Sequence, residues 1–212
     1  MKTNYQREIT KHIETNQLSY LFIMILFIVG LIFGAMIVVS MHFTQKQDLL
    51  FYLNQYFSRI DQQEILNHFD LFKSALFSHL QYLIIFLLLG LSIIGLPIIW
   101  VTIFIKGTFI GFSVGFFVYQ YGFSGLLFIS AAILPQNLIV IPVYLFAATI
   151  AMIFSGQLLK KLSGRRFIRF TVEPVSQYLI VFVVLFGFCL LAALIEGYLI
   201  GYYLPLVRQL IN

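Results

Sequence analysis

Charge is what this chain has least of. Asp, Glu, Lys and Arg make up 10% of its 212 residues, against roughly 25% in soluble domains, and none of the four occurs between Gly107 and Leu159. With 61% hydrophobic residues, a soluble chain of this length could not cover its apolar surface. Cysteine is nearly absent too. The single Cys189 excludes a disulfide within the chain and any cysteine-based metal site. No H-E-x-x-H and no G-x-x-x-x-G-K-[ST] is present.

One tempting motif remains, "GFSVG" at 111–115, which matches the G-x-S-x-G elbow of hydrolases. It falls inside an apolar helix with no strand before it. His12, His42, His68 and His79 all lie outside the expected spans, so Ser113 has no base at membrane depth. No enzyme, cofactor or metal is expected.

What is present is long apolar runs. A bilayer-crossing helix needs about 20 residues, and the runs place spans at about 19–40, 81–105, 107–121, 136–158 and 178–200. The expected fold is an all-α integral membrane protein, one polytopic domain over 1–212 with an outer loop at 41–79. The first run is too long for a signal-peptide core and no A-x-A follows, so it is expected to be a retained anchor. Lys2, Arg7 and Lys11, Lys106, and the five basic residues of 160–169 predict cytoplasmic positions. The N-terminus is then inside and the C-terminus outside. The 160–169 stretch is explained as a topology signal with affinity for anionic lipid, and no nucleic-acid partner is expected.

The uncharged tract is about ten residues too long for two spans. An outward turn at 119–125 leaves 126–134 as an extra re-entrant or interfacial helical piece. Pro135 then suits the first turn of a new helix, and Gln136 and Asn137 can satisfy freed backbone groups. Pro97 and Pro142 are further expected breaks.

Small residues recur at four-residue spacing: Gly30 and Gly34; Gly107, Gly111 and Gly115; Ala193, Gly197 and Gly201. Such faces let helices approach closely in lipid, within one chain or against a second copy as a homodimer. Glu196 is the one acid expected inside a span. It is a functional candidate by its position, or a structural group that is protonated, reaches the interface, or pairs with Lys106 or with a polar group of another chain. In the outer loop, Leu49, Leu53, Tyr56, Phe57 and Ile60, then Ile65, Phe69, Phe72, Leu76 and Leu80, predict two short amphipathic helices. Leu53, Tyr56, Phe57, Phe69 and Phe72 are candidate docking residues for a partner; the alternative is that these faces rest on the membrane surface or on the spans.

The stretches "SIIGLPIIWVTIFIKGTFIGFSVGFFVYQ" and "LPQNLIVIPVYLF", with "SYLFIMILFIVGLIFGAMIV" and "TQKQDLLFYLNQYF", resemble the stage II sporulation protein M family of endospore-forming bacteria. The resemblance implies a non-enzymatic scaffold in the mother-cell membrane at the sporulation septum. That scaffold would hold two peptidoglycan hydrolases, sporulation proteins D and P, during engulfment. The wider family often reads Pro-His-Gly-x-x-Glu-x-Pro where this chain runs from Pro135-Gln136-Asn137 to Pro142. The histidine and acid are missing, so proton or transport chemistry through those positions does not carry over. The alternative from another class is a transporter or channel subunit, which broken helices and an intramembrane acid would suit. No internal repeat and no charged ring supports it.

Overall fold

The computed structural model describes residues 13–61, 68–132, 134–163 and 172–208. Its long helices are α1 (Gln17–Ser40), α2 (Phe43–Asp61), α3 (His68–Gly90), α4 (Gly95–Ala132), α5 (Leu134–Ser163) and α6 (Val172–Arg208). No strand occurs among the described residues. Among the described residues, five stretches are long and apolar enough to cross a membrane: 17–40, 69–90, 95–127, 134–160 and 175–198. The chain is an all-α, multi-pass membrane protein.

The number of spans agrees with the sequence, but two of the boundaries do not. No helix runs through 81–105 and no boundary falls at Lys106. The chain reverses at Leu91–Ile94 instead. Leu91 N donates to Leu87 O (3.3 Å), Ser92 N to Leu89 O (3.1 Å) and Gly95 N to Ser92 O (3.2 Å). A Cβ on Gly95 would collide with the Leu89 carbonyl, so the turn closes only around glycine. Pro97 lies in the first turn of α4, where its missing N–H costs nothing.

Turn carbonyls near hydrocarbon need partners, and two later helices supply them. The buried Ser155 of α5 donates to Ser92 O (2.7 Å). Tyr178 of α6 lies with its hydroxyl 3.2 Å from Phe86 O and 3.0 Å from Leu87 O.

Moving the turn moves everything that faces it. His79 lies eleven residues before Gly90 and Lys106 eleven after Gly95. At 1.5 Å per residue both are about 16 Å from the turn, near the middle of a ~30 Å hydrocarbon layer. The placement of all four histidines outside the spans is therefore corrected for His79, and Lys106 is an intramembrane residue, not a boundary signal. The outer loop is shorter than 41–79, and the second expected amphipathic helix is the first half of α3, so Phe69 and Phe72 lie on a span.

The most extensive helix pair is α1 with α4, which run parallel. Where side chains would start at Gly30 and Gly34 lie the carbonyls of Phe104 and Thr108. At Gly107 and Gly111 lie the carbonyls of Phe27 and Leu31, and at Gly115 the Cα of Ala35. Both glycine faces are thus consumed by each other within one chain. On α6, Ala193 is fully buried and Gly197 is pinched against Phe72, whose Cβ would sit 2.8 Å from an added Cβ. Gly201 is helical, but its packing lies outside the described residues.

At the other end, Gly122 takes a positive φ of 56° and interrupts α4. The helical residues after it fold back. Gly125 abuts the Phe117 carbonyl, and Ile129 packs with Val38, Phe116 and Phe117. This is the extra piece expected at 126–134, displaced to 123–132. Residue 133 lies outside the described residues, Pro135 stands in the first turn of α5, and Pro142 lies exposed within that helix.

Gly111→Ala should lower the midpoint of thermal unfolding in detergent, because a methyl group would need the α1 carbonyl to retreat at a cost of about 1–3 kcal/mol. Gly156→Ala, where a Cβ meets nothing within 4 Å, should leave the midpoint unchanged or raise it slightly.

Candidate functional site

A histidine, a lysine and two tyrosines lie near the mid-depth fixed by the 91–94 turn, and a glutamate two residues from the end of its span reaches down to them. Helix α3 supplies His79 and Tyr82, α4 supplies Lys106, α5 supplies Tyr144 and α6 supplies Glu196. His79 Nε2 is 3.1 Å from Glu196 Oε2, and His79 Nδ1 is 2.9 Å from the Tyr144 hydroxyl. An ionised carboxylate only accepts. A neutral His79 therefore carries its proton on Nε2 and donates to Glu196, while Tyr144 O–H donates to Nδ1. A doubly protonated ring would donate at both nitrogens, and the same geometry holds it.

Lys106 completes the group with no hydrogen bond among the described residues. Its Nζ stands 4.3 Å from the centroid of the Tyr82 ring and 5.3 Å from that of Tyr144, and it interacts electrostatically with Glu196. A cation over two ring faces gains about 0.5–2 kcal/mol from each when desolvated. The tyrosines pack on each other with centroids 5.4 Å apart, and Tyr144 is among the largest fully buried side chains. The cage is rigid because its walls are core: Phe86, Ile103, Ala147 and Ala148 are fully buried beside it.

Local structure aims these groups. Gly197 lets α6 touch α3 at Phe72, which brings the neighbouring Glu196 within reach of His79 one to two turns deeper on α3. Tyr178 fixes the same helix pair at its other end.

Of the residues singled out in the sequence, the structure brings Glu196 and its expected partner Lys106 into this cluster and leaves the others elsewhere. Gln136 and Asn137 are half-buried at the start of α5, and Gln136 Oε1 has no hydrogen-bond partner among the described residues. Ser113 Oγ donates to Phe109 O (3.0 Å), one turn back in α4. Among the candidate docking residues, Leu53 packs against the Val38, Phe116, Phe117 and Ile129 cluster, and Phe72 is taken up by Gly197. Phe69 is exposed; the side chains of Tyr56 and Phe57 lie outside the described residues.

Helix α2 instead turns Lys46, Leu49, Leu50 and Leu53 inward, with Lys46 Nζ 3.7 Å from the Tyr119 ring centroid. Phe51 and Tyr52 point away, 66% and 65% exposed.

His79 was missed, and Lys106, though named as a possible partner of Glu196, was placed at a span boundary, because the turn was missed. The signal for it was there: Gly90 at a helix end, then Gly95 and Pro97 at a helix start.

A family model described as Stage II sporulation protein M matches residues 23–199, most of the chain. No curated protein and no solved structure matches.

Replacing either end of the Tyr144–His79 bond should reveal one shared interaction. Tyr144→Phe and His79→Leu should each lower the unfolding midpoint, with a coupling energy of about 1 kcal/mol in the double variant. Tyr178→Phe, at the distant turn, should add to either without coupling.

Proposed function

Because the chain belongs to the Stage II sporulation protein M family, we propose that this sporulation-related membrane protein is a non-enzymatic scaffold that positions peptidoglycan hydrolases at the engulfing septal membrane. In this reading the α2 end of the bundle faces outward from the mother-cell membrane, and the basic stretch at 160–169 faces the cytoplasm. The partners are wall-degrading enzymes of the kind represented by sporulation proteins D and P.

The observation that carries the reading is the two-sided character of α2. One face clips onto the ends of α1 and α4 through Lys46, Leu49, Leu50 and Leu53. The other presents Phe51 and Tyr52, with ring centroids 6.0 Å apart, as a rigid aromatic pair of the kind enriched at protein interfaces. Phe69 at the start of α3 is exposed as well.

A transporter reading draws on one observation, the ionisable cluster at mid-depth, since such groups mark ion or substrate paths in many membrane proteins. The apolar core between this cluster and the 91–94 turn, formed by Leu83, Phe86, Ile99, Ile103 and Ala147, speaks against a continuous polar path.

Photo-reactive residues placed at Phe51, Tyr52 and Phe69 in sporulating cells should capture a peptidoglycan hydrolase. The same residue placed at Leu53, which faces inward, should not. Capture of lipid alone at all three exposed positions, together with solute flux by the purified protein in liposomes, would replace the scaffold by the transporter.

A further inference from the structure

The intramembrane cluster is asymmetric in access, and that asymmetry is informative. The His79 side chain is 10% exposed and that of Glu196 is 23% exposed, so the carboxylate is the less enclosed member. Glu196 also lies 21 residues after Val175 in a span that ends at Tyr198, close to the α2 end of the bundle. On the opposite side most buried positions are apolar, and the buried hydroxyls of Thr149 and Ser155 there donate to the carbonyls of Leu145 and Ser92 (2.7 Å each). The pair therefore lies closest to the interface at the α2 end and is walled off on the other side, which suits a binding site better than a conduit.

We propose that the His79–Glu196 pair is a proton-binding site inside the membrane, open toward the α2 end, and that its occupancy controls how tightly the outer part of α6 is held to α3. This rests on the intramembrane geometry and is independent of the docking partner.

The charge count gives the mechanism. The groups that face the pair are Tyr82 on α3, Lys106 on α4, Tyr144 on α5 and Cys189 on α6. With Lys106 as ammonium, Glu196 as carboxylate and His79 neutral, the cluster carries no net charge. A proton from water at the α2 end, held between His79 and Glu196, makes it +1 and leaves water behind. A net charge among Phe86, Ile103, Ala147 and Ala192 is unfavourable. It is relieved when the α6 segment around Glu196 and Gly197 draws away from Phe72 and lets water in. That contact is suited to giving way, because it is a single glycine pinch at the end of the span, whereas the opposite end is tied by Tyr178.

The test uses the full chain in liposomes, with spin labels at Lys73→Cys and Tyr198→Cys in a Cys189→Ala background. Both label positions are exposed, and they flank the Phe72–Gly197 contact. The interspin distance should lengthen by about 5 Å, one helical turn, when the pH is lowered from about 8 to about 5.5.

Glu196→Gln, which keeps Lys106 but removes its counter-charge, should be long at both pH values. Lys106→Met inverts the count: −1 without the extra proton and 0 with it. Its distance should therefore be long at high pH and short at low pH. Lys106→Met combined with Glu196→Gln starts neutral and should be short at high pH, which also shows that the paired variants fold. A distance that does not change with pH in the otherwise native chain overturns the proposal. So does a Lys106→Met variant whose distance changes in the same direction as the native one.

Discussion

The depth of every polar side chain in this bundle depends on a four-residue turn. Leu91–Ile94 reverses the chain between α3 and α4, and two hydroxyls from later helices hold it: Ser155 on Ser92 O, and Tyr178 against the carbonyls of Phe86 and Leu87. Backbone groups at a lipid boundary have few other partners. These contacts therefore set the register of α5 and α6 against the α3–α4 pair as well as closing the turn. His79 and Lys106 come to one depth because each is eleven residues from it, and Tyr144 and Glu196 are brought to them by the same helix packing.

Two kinds of close approach then complete the bundle. Parallel α1 and α4 meet through glycines with the partner's carbonyls where side chains would begin, and antiparallel α3 and α6 meet at Gly197 and Phe72. In lipid, where apolar burial between helices gains little, such contacts are the main source of specificity. The polar cluster sits where four of the packed helices converge. Satisfied through His79, Glu196 and Tyr144, it ties α3, α5 and α6 together at a level where single unpaired groups would be costly.

Much of this was legible in the residues. The all-α class, the number of spans, the glycine faces, the turn near Gly122 and the new helix at Pro135 all follow from periodicity, breakers and charge. The second span did not, and the reason is physical. Residues 81–105 contain no charge, and the turn itself is three apolar residues and one serine, since a turn satisfied by other helices needs no polar side chains of its own. Residues 69–79, in contrast, include Asp70, Lys73, two serines and His79. They resemble a loop until His79 is seen to face Glu196 and Tyr144. A polar residue that is partnered across helices cannot be told from a solvated one by composition. The docking surface shows the same limit. Periodicity identified an amphipathic α2, but its apolar stripe at Leu49 and Leu53 is the covered face, and the exposed aromatics are Phe51 and Tyr52.

The reversal of the chain at Leu91–Ile94 carries Lys106 to mid-membrane. It is tested most directly by thiol accessibility in sealed vesicles of a Cys189→Ala background, with single cysteines at Ser92→Cys, Lys106→Cys and Lys160→Cys. A membrane-impermeant maleimide should label Ser92→Cys and Lys160→Cys from the same side and leave Lys106→Cys unlabelled from both. Labelling of Lys106→Cys from that side, with Ser92→Cys protected, would contradict the account and restore a continuous span through 81–105.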